Sequence, residues 1–326
     1  MRRTYTGGRF SIFFNQAPMT MTILLLNVVM YLLTVIFGGG NLWNGGSTST
    51  LIQFGAQYGP MVSRGEWYRL ITANFLHGGL MHIFFNSYAL FYFGFVVEKI
   101  YTSPKFISVY LITGVAGNVL TQLFYTNIPS VGASGAIFGL VGLLFAAGIS
   151  GRMRGRLGGF AGTALLPMIL INLFLGFSVP GINNLAHIGG LAAGFGMGMI
   201  LTPGPSFKLR QRQLWMVAQY LCVILIVLSL ILNFVNISPS VDRVISFHNT
   251  YVQLLSDITR SSDSGQYAYY LNLLNPFDST TRRLKENAQD YIESGGTSPS
   301  FNQLSREFKD WQSEVLEKYD LQLRSE

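Results

Sequence analysis

Residues 131–149 read VGASGAIFGLVGLLFAAGI, nineteen residues without a charge. At about 1.5 Å rise per residue such a helix approaches the roughly 30 Å of a bilayer's hydrocarbon core. Six further apolar runs flank it: Met19–Phe37, Leu80–Val97, Phe106–Phe124, Ala161–Val179, Asn184–Leu201 and Leu214–Val235. The composition agrees. Of 326 residues, 49% are hydrophobic and only 11% charged, where soluble chains carry about 25% charged residues. In lipid a helix satisfies its own backbone groups, even where it contains Gly or Pro. The reading is an all-α polytopic membrane protein with seven spans.

Charge divides the chain near Asn236. Residues 1–235 carry 13 Lys/Arg and two acids, Glu66 and Glu98, a net +11; residues 236–326 carry nine Lys/Arg and 13 acids, a net −4. The basic residues sit in short loops, which marks topology rather than a nucleic-acid surface. Arg2, Arg3, Arg9, Lys99, Lys105, Arg152, Arg154, Arg156, Lys208, Arg210 and Arg212 fall on one side of the spans, and only Arg64 and Arg69 on the other. That bias puts the N-terminus in the cytoplasm and, after seven spans, the acidic tail outside. The N-terminal residues lack the pattern of a removable signal peptide, and Cys222, the single cysteine, excludes an internal disulfide or thiolate cluster. The expected organisation is a cytoplasmic segment (1–18), a six-helix membrane core (19–203), a linker with the seventh helix (204–235) and a soluble tail (236–326). Leu304, Phe308, Trp311 and Val315 recur at spacings of four, three and four, one apolar face of a tail helix, and Leu284, Ala288 and Tyr291 suggest another. The tail reads as a small helical bundle or, alternatively, as a binding module for an unidentified partner.

Polar residues inside the spans mark function. His77, His82 and Asn86 lie at the start of the second span, Ser134 just inside the fourth after Pro129, and His187 just inside the sixth after Pro180. Even-numbered spans run the same way, so these groups share one depth, in the outer half of the membrane. His82 and Asn86, four apart, project from one helix face. Gly135/Gly139, Gly190/Gly194 and Gly194/Gly198 allow the fourth and sixth spans to approach closely. A serine hydroxyl becomes a nucleophile when a base takes its proton, and histidine is suited to that. No Asp or Glu falls within the expected spans, so a Ser–His dyad fits better than a triad. The remaining histidine, His248, reads as a surface residue of the tail. His77 and His82, five apart and without a carboxylate or thiolate beside them, make a poor metal site. No metal or organic cofactor is expected.

At these residues the chain resembles the rhomboid family of intramembrane serine proteases. Glu66-Trp67-Tyr68-Arg69 is similar to the family's Trp-Arg motif, and His77 to Asn86 matches H-x4-H-x3-N. Gly132-Ala133-Ser134-Gly135 matches GxSG, and Ala186-His187 with Gly190 and Gly194 matches the AH-plus-GxxxG motif. The resemblance runs from about Gln16 to Pro203 and leaves out the tail. It implies a six-helix core plus a seventh helix, with Ser134 as nucleophile and His187 as base. It implies His82, Asn86 and Gly132 around the oxyanion, His77 in support at the mouth of the site, and a structural role for Trp67 and Arg69. Phe138 stands where many members have Tyr, which implies stacking on His187 without a hydroxyl. The implied activity is hydrolysis of single-span membrane proteins near the outer face. The compact loops and the absent targeting pattern fit a bacterial inner membrane, and a secretory-pathway membrane with a luminal tail would read the same. Two rivals come from other classes. A non-catalytic client-binding relative usually lacks the serine or the histidine, and a proton-coupled transporter needs intramembrane acids.

Overall fold

The structure, a computed structural model, describes residues 15–38, 40–124, 128–151, 161–179, 181–206, 208–235, 241–260 and 264–319. Arg2, Arg3, Arg9, Arg152, Arg154, Arg156, Pro180 and the boundary residue Asn236 lie outside the described residues. The chain divides into two compact units, residues 1–236 and 237–326.

Among the described residues seven helices of ten residues or more build the first unit: α1 (Pro18–Phe37), α2 (Leu80–Tyr101), α3 (Ser103–Phe124), α4 (Ser134–Ile149), α5 (Leu166–Ser178), α6 (Asn184–Ile200) and α7 (Leu209–Val235). Four of them, α1, α2, α3 and α7, are long and apolar enough to cross a membrane. The other three are shorter. At 16 residues α4 spans about 24 Å, less than a typical hydrocarbon core.

The shortness of α4 has a local cause. The apolar run begins at Val131, but the helix begins at Ser134. Gly132 has φ +126°, outside the helical region and open to glycine alone among residues. Its N–H donates to the Ala73 carbonyl at 2.9 Å, and Ser130 exchanges two backbone hydrogen bonds with Gln57 (3.0 and 2.8 Å). Val131 and Gly132 are thereby kept out of the helix, Ala133 makes the turn into it, and Ser134 is delivered to the first position of α4.

Helix α4 is the central pillar. From Gly135 to Ala147 only Phe145 is not buried, as expected of a helix apolar all round. Helix α6 lies directly on it. A methyl added at Gly190 would run into the Gly135 carbonyl oxygen, and one at Gly194 into that of Gly139. The two backbones touch, which is what small residues four apart permit.

Charged groups anchor one end of the bundle. Helix α2 continues past the expected end at Val97, so Glu98 lies within it, 3% exposed. Its carboxylate accepts from the Met19 and Thr20 backbone N–H groups (2.9 and 2.7 Å), from the Thr20 hydroxyl (2.7 Å) and from Ser103 (2.6 Å). It thus caps α1 from another helix, which offsets the cost of burying its charge. The expectation that every span is free of acids is corrected by this residue. Lys105, expected in a loop, is buried inside α3 and donates to the carbonyls of Thr202 and Gly204, both at 2.8 Å.

The loop between α1 and α2 holds three short helices, Thr48–Gln53, Gly59–Ser63 and Arg69–Thr72. Arg69 is fully buried at their centre. Its Nε donates to Glu66 at 2.7 Å, and Nη1 donates to the carbonyls of Ile52 and Ala56. The neighbouring Trp67 is 61% exposed and stands apart from this buried network. Helix α7 buries one face, Cys222, Ile226, Ser229 and Asn233: Cys222 lies against Ser108 of α3, Asn233 against Gly55 of the loop, and the Phe234 ring meets Phe54 edge-on at 6.1 Å.

The second unit is helical: α8 (Val241–Arg260), α9 (Ser264–Leu273), α10 (Ser279–Glu293) and α11 (Phe301–Tyr319). Leu304, Phe308, Trp311 and Val315 of α11, with Leu284 and Ala288 of α10, form its core with Val244, Phe247, Tyr251 and Leu254 of α8. His248 belongs to that core and not to the surface. It is 2% exposed, its ring lies 5.6 Å from Phe308, and its Nε2 is 3.1 Å from the Gln312 amide. Its place beside Val244 and Tyr251 on one helical face is the physical reason.

Candidate active site

Ser134 and His187 meet between α4 and α6, with Ser134 Oγ 2.9 Å from His187 Nε2. Each is placed by its helix start. Ser134 is brought to the first turn of α4 by the non-helical Val131–Gly132 segment and the turn at Ala133. His187 is in the first turn of α6, which Asn183 caps by accepting the Ala186 N–H at 3.2 Å. Below both residues the glycine contact sets the separation of the two helices.

Phe138, one turn after Ser134, lies flat on the imidazole of His187, with centroids 4.3 Å apart and planes at 14°. His187 is 7% exposed, and its Nδ1 has no hydrogen-bond partner among the described residues. Neither Asp nor Glu orients the ring, and stacking on Phe138 does so in its place.

His82 faces the pair from α2. A Cβ placed on Gly132 would stand 2.7 Å from His82 Nε2 and 3.7 Å from Ser134 Oγ. Because residue 132 is glycine, that position is clear. It lies at the distance from Nε2 that a donor keeps to a developing oxyanion, close to the serine oxygen. The tautomer agrees. The Gly78 N–H points at His82 Nδ1 at 3.4 Å, so Nδ1 accepts and a neutral ring carries its proton on Nε2.

Asn86 is buried one turn along, and its Nδ2 donates to the His82 carbonyl of its own helix at 2.9 Å. One amide N–H is engaged there, and the second is the only one it can offer elsewhere. His77, expected at the mouth of the site, is fully enclosed, its ring edge-on to His82 at 5.1 Å. Its chain neighbours Phe75 and Leu76 are fully buried core residues, and they draw His77 inside with them. Among the described residues no group of three or more His, Cys, Asp or Glu is placed to hold a metal ion.

Two contributors were not singled out from the sequence. Gly78, through its N–H, carries no side-chain signal. Asn183 does: an Asn directly before an apolar helical run is a cap signature.

A bundle of apolar helices that buries a hydrogen-bonded serine–histidine pair defines a membrane protein with a reactive centre inside its core. Residues 64–204 match the family model described as the rhomboid domain, so over this stretch the chain is similar to the rhomboid family. It is 40% identical over 187 residues to Rhomboid protease GluP of Bacillus subtilis, covering 57% of this chain and 35% of that protein. It is 35% identical over 170 residues to RHOMBOID-like protein 7 of Arabidopsis thaliana (52% and 54% covered). To Rhomboid-like protease 1 of Toxoplasma gondii it is 35% identical over 159 residues (47% and 54%). The chain thus spans 35% to 54% of the length of these curated relatives.

Proposed function

We propose that this chain is an intramembrane serine endopeptidase that hydrolyses a peptide bond in or beside the transmembrane helix of a single-span partner protein. The observation that carries the reading is the 2.9 Å contact between Ser134 Oγ and His187 Nε2 in a buried, acid-free setting. His187 takes the serine proton, Ser134 attacks the carbonyl, and the resulting imidazolium returns the proton to the leaving amine. His82 Nε2–H and the Ser134 backbone N–H stabilise the oxyanion, with the second N–H of Asn86 as a further donor. Water then hydrolyses the acyl-enzyme by the same steps. No metal or organic cofactor takes part.

Backbone geometry suggests how substrate lies. Ser130 turns its N–H and C=O toward Gln57. In an extended segment the next residue turns its groups the opposite way, and Val131 has no backbone partner among the described residues, so it is the edge beside the serine. A substrate stretch that has left its helix can pair there. Small or helix-weakening residues in the substrate therefore favour cleavage, since an intact helix keeps its carbonyls engaged. The basic residues favour a cytoplasmic N-terminus and an outside tail, with Trp67 at the lipid interface; the membrane proposed is a bacterial inner membrane.

The test is cleavage of a labelled single-span substrate in liposomes by the wild type, Ser134→Ala and His187→Ala. Loss of nearly all cleavage in both folded variants supports the dyad. Cleavage by Ser134→Ala removes it, and an inert wild type across many substrates points to a client-binding protein.

A further inference from the structure

A histidine base needs its ring held. In a triad an acid does this through Nδ1, but here Nδ1 of His187 has no partner among the described residues. The orientation of His187 therefore rests on Phe138 and on where the first turn of α6 is set.

Asn183 sets that turn with all the polar atoms of its side chain. Its Oδ1 accepts the Ala186 N–H at 3.2 Å. Its Nδ2 donates to Thr121 Oγ1 on α3 at 2.9 Å and to Ser130 Oγ at 2.8 Å. The amide cannot be reversed without loss, because the Thr121 hydroxyl already donates to the Gly117 carbonyl at 3.0 Å and offers Asn183 only an acceptor. Ser130 is four residues before the nucleophile, and its backbone is clamped to Gln57. Asn183 is four residues before the base. One carboxamide thus fastens the segment that delivers Ser134 to the helix that delivers His187, on the outer side of the pair. The glycine contact fastens the same two helices on the inner side.

We infer that Asn183 is a positioning residue for the Ser134–His187 pair, setting the distance and angle of proton transfer by bridging Ser130, Thr121 and the start of α6. The inference rests on the protease reading above. Its role is distinct from that of a plain helix cap, and the two are separable by substitution. Asn183→Asp keeps an oxygen to cap α6 but has no N–H for Thr121 and Ser130. Asn183→Ala loses both. Ser130→Ala and Thr121→Val remove the bridge while leaving the cap.

The experiment measures, on the full chain, the rate at which a fluorophosphonate probe labels Ser134, kcat and KM on a single-span substrate, and the thermal midpoint. Displacements of about 1 Å cost on the order of 100-fold in a reacting geometry. Asn183→Ala is expected to slow labelling and kcat by that factor with KM unchanged. Asn183→Asp should fall between it and the wild type. Adding Ser130→Ala to Asn183→Ala should slow the reaction no further. A lowered midpoint with wild-type labelling of the folded Asn183→Ala protein would show a cap and nothing more, and overturns the inference. Full labelling in Asn183→Asp overturns it as well, because the bridge would then be idle. If the wild type itself neither labels nor cleaves, the protease reading fails first, a result distinct from either.

Discussion

Replacing Gly132 by Ala tests the oxyanion geometry with a single methyl group. The new Cβ would stand 2.7 Å from His82 Nε2 and 2.9 Å from its Cε1, where ordinary contact begins at 3.4 Å. His82 must retreat by about 0.7 Å or more, and the methyl fills the place assigned to the oxyanion. The backbone adds strain, since φ is +126° and a side chain there costs about 1–3 kcal/mol. Loss of one oxyanion donor lowers kcat by about 10²–10³, and the same loss is expected here. Ser134 and His187 remain 2.9 Å apart, so the dyad itself is untouched. The assay is kcat on a single-span substrate in liposomes, with a thermal melt to count only folded protein. His82→Ala serves as the comparison, and Gly132→Ala combined with it should be little worse than either alone. A folded Gly132→Ala enzyme with wild-type kcat would refute the placement of the oxyanion between Gly132, His82 and Ser134.

Further expectations concern the scaffold and the tail. Arg69→Ala takes the Nη1 donor from the carbonyls of Ile52 and Ala56; Ile52 keeps the Gly55 N–H, while Ala56 is stranded inside the loop. At about 1–3 kcal/mol per stranded group it should lower the thermal midpoint sharply, and Arg69→Lys should not restore it, because an ammonium cannot reproduce the fork. Phe138→Leu removes the ring stacked on His187; a loss of about 0.5–1.5 kcal/mol should appear as a severalfold fall in kcat with KM little changed. In the second unit, burial, with the nearby Glu307 adding to it, pushes the Tyr251 phenol up from its ordinary value. The folded tail holds that proton more tightly than the unfolded one. Its contribution is therefore complete below about pH 10, the unfolded value, and is lost as pH climbs above it. Hydrogen exchange of α8 and α10 should speed up in that range, and Tyr251→Phe, which lacks the proton, should flatten the dependence.

Run length and charge make the membrane helices readable, because lipid allows few alternatives to a helix. They also misplace ends wherever a charge is buried. Hydropathy stops α2 at Val97, yet Glu98 continues it because the N–H groups of α1 wait there. Lys105 reads as a loop cation, but carbonyls at the end of α6 receive its amine. The glycine spacings in α4 and α6 point to close approach, and the structure pairs them as Gly135 with Gly190 and Gly139 with Gly194. What spacing cannot give is that Ser134 and His187, 53 residues apart, face the same point, or that Gly132 breaks the fourth span before the serine. The burial of His248 is legible in Val244, Phe247 and Tyr251 around it, which mark a buried face, but its polar neighbours Ser246 and Asn249 obscure that signal and make it read as a surface residue.

The contact of α4 with α6 along their glycines has a consequence for how such a sequence can drift. The reacting distance is fixed by main chain against main chain, so no neighbouring side chain can be trimmed to make room for a larger residue at Gly190 or Gly194. A lineage can exchange almost any lipid-facing residue of these helices and keep its chemistry. At the seam there is no compensating path, and the first step away from glycine must separate the serine from its histidine.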